Sequence, residues 1–317
     1  MQDNGRVTII QIPQVDDEPI AAVLRSLAIQ PLGADTFRAQ SLPQMGRIYG
    51  GQVVAQALIA ACSTLDEPLE RLPHSLHAYF LVGGDPHKPI GIEADRVRDG
   101  RSFSSRTAVA RQEGRDILTL LANFHIREDG PDYSAPMPDV PEPEKLMSAL
   151  EYFRTMNNPV GKYLGNTVAF ESRHVQDSLY MHKKPKIASS QQVWIKPRVP
   201  IPNATPLVGR ILLAYVLDQF IMEPALRSRG LSWLSPGLML ASLDHAMWFH
   251  RDFDINDWLL LDQNCPSTCS NRAMGSMRVF TREGVLVAEV MQEAMMRVLE
   301  PKPGEKSHFE FNVPPAH

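Results

Sequence analysis

Apolar and polar positions follow two rhythms along the chain. Residues 47–63, "RIYGGQVVAQALIAACS", open on a glycine pair and continue with apolar residues at helical period, which predicts a helix. The stretches 74–84 ("HSLHAYFLVGG") and 90–127 shift to the shorter period of strands. "VRDG" and "RQEGR" mark turns within the second stretch, because glycine supplies positive φ at no steric cost. The order is a helix and then an antiparallel meander. The second half repeats it. "PLVGRILLAYVLDQFIMEPAL" (206–226) reads as a helix and "LASLDHAMWFH" (240–250) as a strand; "DWLLLDQNCPST", "CSNRAMGSMRVFTREG" and "VLVAEVMQEAMMRV" supply the other strands. The echoes are ordered: "SLHAYF" against "SLDHAMWF", then "RQEGRDILTLLANF" against "TREGVLVAEVMQEA", about 170 residues apart. A repeat that long is a duplicated unit, and in each copy the helix and the sheet must cover each other.

The expected class is therefore α+β in two tandem units. Residues 1–130 form the first and 191–300 the second, with a crossover at 131–190 and a tail at 301–317. Within the crossover "EKLMSALEYFRTMN" reads as helical and "RHVQDSLYMHKKPKIASS" as irregular. Proline gathers at 130–145, 195–206 and 300–317. It fixes φ and cannot donate to a ladder, so these read as connections and a tail.

Three residues break the pattern, all in the second copy. Alternation along 285–297 puts Leu286, Ala288, Val290, Gln292, Ala294 and Met296 on one face, where Gln292 is the lone polar side chain. A buried amide without partners costs about 1–3 kcal/mol, so partners are expected. The first copy has Ala122 at the matching position, so the fold itself does not demand an amide. Asp218 shares a helical face with Ile211, Ala214, Tyr215, Ile221 and Met222, and a carboxylate in an apolar stripe is usually paired or hydrogen-bonded. Each has a plain structural reading, a capping aspartate and a backbone-satisfied amide. Ser242 is the third. The run "SLDHAMWFH" looks like a compressed Ser-Asp-His triad, but uniform alternation turns Ser242 and His245 to opposite faces, and triad members usually lie far apart in sequence. No G-x-S-x-G elbow occurs either. Asp244 and His245 are read as structural.

Composition narrows the function classes. Apolar residues make up 44% of the 317, enough for a substantial core, and the net charge of −4 with both signs interspersed argues against a nucleic-acid partner. Neither a secretory signal nor an uninterrupted apolar membrane span is read in the chain, so no membrane partner is expected. Three cysteines, Cys62, Cys265 and Cys269, lack the pairing of a disulfide framework or a zinc site. Free thiols, no metal and no cofactor are expected, in the cytoplasm; the ending "VPPAH" is not a peroxisomal address of the S-K-L type.

Taken in order, "GRIYGGQVVAQAL", "HSLHAYFL", "DRVRDGRSFSSR", "LASLDHAMWFH" and "VMQEAMMR" resemble the acyl-CoA thioesterase II family across roughly residues 35–298. The resemblance implies a double hotdog fold, each half wrapping a sheet around a long helix. It also implies a site of aspartate, hydroxyl residue and glutamine, which fall on Asp218, Ser242 (threonine in many relatives) and Gln292. The implied reaction is hydrolysis of a fatty acyl-CoA by water that Asp218 deprotonates and Ser242 and Gln292 orient. Assembly as a homo-oligomer, dimer or tetramer, is implied too. CoA phosphates call for cations, with Arg47, Arg98, Arg101, Arg106 and Arg272 as candidates, and Met239, Met247, Met291, Met295 and Met296 as either core fillers or lining for the acyl chain. Two alternatives share the fold: a non-catalytic acyl-CoA-binding protein, and an enoyl-CoA hydratase. The hydratase would want an aspartate and a histidine five residues apart opening a helix, and the second-copy helix has no histidine.

Overall fold

The two apolar helices lie against a single sheet in the computed structural model, which describes residues 7–44, 46–180 and 185–300. The first unit comprises α1 (Ile20–Leu27), β1 (Gln30–Gly33), β2 (Thr36–Ala39), α2 (Gly50–Ser63), β3 (Arg71–Phe80), β4 (Ile90–Asp99), β5 (Phe103–Gln112) and β6 (Arg115–Ile126). The crossover carries α3 (Ala149–Thr155), α4 (Pro159–Thr167) and β7 (Phe170–His174). The second unit comprises β8 (Ser190–Pro197), α5 (Pro206–Leu217), α6 (Glu223–Ser228), β9 (Leu238–Ser242), β10 (Asp244–Phe249), β11 (Leu259–Cys269), β12 (Arg272–Thr281) and β13 (Leu286–Val298).

The sheet runs β1-β2-β4-β5-β6-β3-β10-β13-β12-β11-β8-β7, and β9 adds to β13. Its seam is the antiparallel pairing of β3 with β10, from Ser75 opposite Trp248 to Tyr79 opposite Asp244, so both units share one hydrogen-bonded ladder. Every residue of α2 from Gly51 and of α5 from Leu207 is buried. Helices buried on every side belong in a core, and these two lie at the centre of one that the sheet completes. The architecture is an α+β double hotdog. Among the described residues no helix is long and apolar enough to cross a membrane.

Several elements depart from the sequence reading. The helix expected over 206–226 is two: α5 ends at Leu217, a turn follows, and α6 starts at Glu223 with Pro224 in its first turn. Proline has no N–H to continue the ladder, so it opens a helix and cannot extend one. The strand expected over 240–250 is also two. Ala246 sits opposite Met291 while Ser242 sits opposite Ala294, so four steps on one strand match three on β13. The extra residue is a β-bulge at Leu243. Leu243 N–H donates to Glu293 O (2.9 Å), and its carbonyl accepts from Phe80 N–H (2.9 Å) across the seam. The crossover is less irregular than expected, since β7 pairs with β8 at the sheet edge, and β8 runs into the 195–206 stretch read as a connection. The stretches 1–6 and 181–184, and the tail at 301–317, lie outside the described residues.

Candidate active site

Asp218, Ser242 and Gln292 meet in one hydrogen-bonded cluster. Asp218 is the C-cap of α5, one residue past the helix rather than on its face. Its Oδ1 accepts from Ser242 Oγ (3.2 Å) and from Gln292 Nε2 (3.0 Å), and Gln292 Nε2 also donates to Ser242 Oγ (2.9 Å). The amide of Gln292 is fully buried, with both N–H groups used. The bulge makes this possible. By shifting the phase of the strand one residue, it puts Ser242 on the same face as Ala294 and hence Gln292.

The same shift corrects the placement of His245. Uniform alternation turned it away from Ser242, yet its Nδ1 lies 2.6 Å from Gln292 Oε1 and its ring is fully buried on the cluster's face. Asp244 holds the bulge, its carboxylate accepting from Glu293 N–H (2.7 Å). The echo does not announce the bulge: Ser75 to Phe80 spans five steps and the echoing Ser242 to Phe249 seven, and an even difference leaves the alternation in phase.

The first unit contributes as well, through a group no side-chain pattern could mark. Asp218 Oδ2 accepts from the backbone N–H of Gly51 (2.8 Å), one of the orphan donors at the start of α2. The glycine pair is what lets the helix ends meet. A Cβ on Gly50 would stand 2.8 Å from Asp218 Oδ2, and one on Gly51 would stand 2.1 Å from Tyr215 O. Tyr49, preceding the pair, donates its hydroxyl to Tyr215 O (2.7 Å), a free carbonyl of the last turn of α5. Burial and the neighbouring Asp218 charge hold the Tyr49 phenol well above its ordinary pKa, so it stays a donor.

A cavity of about 320 Å³ opens beside the cluster, bordered by Gly50 and Ser242 at that end. Its walls come from both units, with Ile48, Val53, Phe80 and Ile117 from the first and Leu240 and Leu243 from the second. None of the five second-unit methionines borders it; Met247 and Met296 are core residues, and Met239 and Met291 are exposed. Of the five arginines singled out by sequence, Arg47 alone borders the cavity. Its stem lies over Gly83, where a Cβ would come within 2.6 Å of Arg47 Cδ, and no described carboxylate pairs with it. Arg272 is engaged by Glu293 (2.8 Å). Arg106 is buried, which removes it as a phosphate contact.

Arg106 has another part. In the sheet it is opposite Ala122, as Gly275 is opposite Gln292. The guanidinium donates to Thr64 Oγ1 (2.7 Å) and Asp99 Oδ1 (2.7 Å), and Thr64 caps α2 as Asp218 caps α5. In the first unit a side chain therefore fills the volume that in the second accommodates the turn after α5, whose Ile221 O would lie 2.2 Å from a Cβ on Gly275. Among the described residues no group of three His, Cys, Asp or Glu is arranged to hold a metal.

The fold and this cluster define a double hotdog protein with an acid, a hydroxyl and an amide joined where its two central helices meet. Comparison with known sequences gives the family. The acyl-CoA thioesterase model matches residues 166–295, and the acyl-CoA thioesterase N-terminal domain model matches residues 38–125. The chain is 32% identical over 286 residues to acyl-CoA thioesterase 2 of Haemophilus influenzae, spanning 88% of this chain and 98% of that protein. It is 30% identical to human acyl-coenzyme A thioesterase 8, spanning 86% and 88%. A crystal structure of an acyl-CoA thioesterase II from Mycobacterium marinum superposes with a TM-score of 0.70 at 33% identity, covering 88% of this chain and 99% of that one. The chain belongs to the acyl-CoA thioesterase II family.

Proposed function

We propose that this protein hydrolyses the thioester of a fatty acyl-CoA to a free fatty acid and coenzyme A, with Asp218 as general base and Ser242 and Gln292 as water-orienting groups. Foremost in support is the closure of the Asp218–Ser242–Gln292 cluster at the wall of a cavity most of whose lining residues are apolar. A carboxylate offers about four acceptor positions. Gly51, Ser242 and Gln292 occupy three, which leaves one for a water. Held there, the water attacks the thioester carbonyl carbon while Asp218 takes its proton. Negative charge then develops on the carbonyl oxygen in front of the positive end of α2. Collapse breaks the C–S bond, and the departing thiolate takes the proton back from Asp218. No covalent enzyme intermediate is needed, in keeping with the missing nucleophile elbow.

The acyl chain occupies the cavity between Ile48, Val53, Phe80 and Leu240, and Arg47 at its edge meets the CoA phosphates. The division into units at 1–130 and 191–300, a cytoplasmic location, a part in fatty-acid metabolism and a homo-oligomeric assembly belong to the same proposal. For the assembly, Leu121, His77, Ala246 and Met291 form one cross-strand row spanning the seam, with Leu121 and Met291 exposed. Thiol release from palmitoyl-CoA and from a short-chain acyl-CoA tests the activity. CoA release is expected. Water addition to an enoyl-CoA would support the hydratase instead, and binding without turnover would reduce the protein to a carrier.

A further inference from the structure

Gln292 can do its part only if its amide faces one way. Its two ends differ chemically, and the cluster needs the NH₂ end. A carboxylate accepts hydrogen bonds and cannot donate, so the atom 3.0 Å from Asp218 Oδ1 must be the nitrogen. The amide oxygen is then forced to the other side, where its partner among the described residues is Nδ1 of His245 at 2.6 Å. An amide oxygen only accepts, so Nδ1 must carry the proton. Nε2 of the same ring is buried without a hydrogen-bond partner among the described residues, and a proton there would be a buried donor with no acceptor among them. Both ends of the ring therefore select the same tautomer.

We propose that His245 is a positioning residue for hydrolysis: held in its Nδ1–H tautomer, it fixes the Gln292 amide so that the NH₂ group stays on Asp218 and Ser242. This rests on the thioesterase reading of the cluster. The ring is itself fixed by the sheet. His245 lies opposite Ala78 on β3 at the seam between the units, and the bulge at Leu243 turns it to the cluster face. Without the donor, the amide oxygen loses its partner and the amide is free to flip, which would set oxygen against oxygen at Asp218.

Three substitutions and one spectrum test this. His245→Leu removes the donor at similar volume and is expected to lower kcat about 10- to 100-fold with KM little changed, as a misdirected rather than missing group would. His245→Asn offers an amide N–H near the position of Nδ1 and is expected to recover most of that loss. In a Gln292→Ala background, His245→Leu should cost less than about twofold more, because its effect passes through Gln292. A kcat within twofold of wild type for His245→Leu, or a full additional loss in the double variant, would overturn the proposal. ¹⁵N NMR of the histidine ring is independent of turnover and of whether the variants fold. It should show the Nδ1–H tautomer in the wild-type protein, and an Nε2–H ring would refute the assignment. If the wild-type protein releases no CoA from any acyl-CoA, the thioesterase reading fails, and the tautomer alone decides whether His245 orients Gln292.

Discussion

Asp218 accepts three hydrogen bonds and keeps one position open, so removing its charge while keeping its shape is the cleanest probe. Asp218→Asn is expected to lower turnover by roughly 10²–10⁴, the usual worth of a positioned base, in a protein that still folds although the new NH₂ end faces a donor and lowers the unfolding midpoint. CoA release beside a thermal melt checks both parts, and near-normal turnover would remove Asp218 from the role. Ser242 contributes one hydrogen bond in each direction. Ser242→Ala should cost about tenfold in kcat, whereas Ser242→Thr keeps the hydroxyl and should stay within a few-fold of wild type. Arg47→Ala should raise KM for acyl-CoA several-fold and leave kcat alone, as expected for a contact made equally in ground and transition states. At this scale the sequence was partly legible. Asp218 and Gln292 stood out because a charge or an amide on an apolar face demands partners. His245 did not, because its direction depends on a bulge that a fixed two-residue period cannot represent. The Gly51 N–H is a backbone group and leaves no mark in the pattern of side chains.

The helices and strands act on the site through their ends. α2 points its N-terminus at Asp218 over a glycine pair, and α5 delivers Asp218 at its C-cap. Gly51→Ala would force a Cβ into Tyr215 O, 2.1 Å away, and separate the two ends. Loss of about 2–4 kcal/mol of stability and most of the activity is expected, read by urea unfolding and thiol release. Arg106→Ala is the contrasting case. It removes a buried guanidinium that ties Thr64 to a partly exposed Asp99, far along the chain from the cluster. A loss of about 1–3 kcal/mol is expected, with kcat of the folded protein retained. Element order was readable because helical and strand periods differ and because the second copy repeats the first. The split of the second helix was also written in the chain, in Pro224, but the apolar period runs through the turn and masks it. The strands β1, β2 and β7 are short and carry too few alternations to register.

Across the whole molecule, one buried polar network fastens the turn after Asp218 to the far edge of the sheet. Glu223 at the start of α6 meets His174 of β7 (2.9 Å), Gln191 of β8 (2.6 Å) and Trp233 (3.1 Å), while Gln263 of β11 donates to Phe220 O (2.8 Å). Burial alone would raise the Glu223 pKa, but the charge of His174 and the hydrogen bonds from His174, Trp233 and Gln191 outweigh it and lower the value below the ordinary 4.5. With the folded value depressed, the carboxylate stabilises the protein above the unfolded value, and that contribution disappears as pH falls through the folded one. Glu223→Gln should therefore lose less stability than wild type on acidification below pH about 4.5, a difference visible in urea midpoints measured against pH. The crossover, which has no echo in the repeat, reaches the site region through His174. Its sequence is too polar and broken to announce that.

The register equivalence of Arg106 and Gly275 has a consequence for how such a protein could change over generations. In a symmetric pair of identical chains every replacement is made twice, so a bulky cation that fills this volume in one copy would displace the corresponding turn in its twin. Joining the copies into one reading frame removes that coupling. One half is then free to become scaffold while the other keeps the turn that follows Asp218, and a replacement that would destroy the site in duplicate becomes tolerable in single dose.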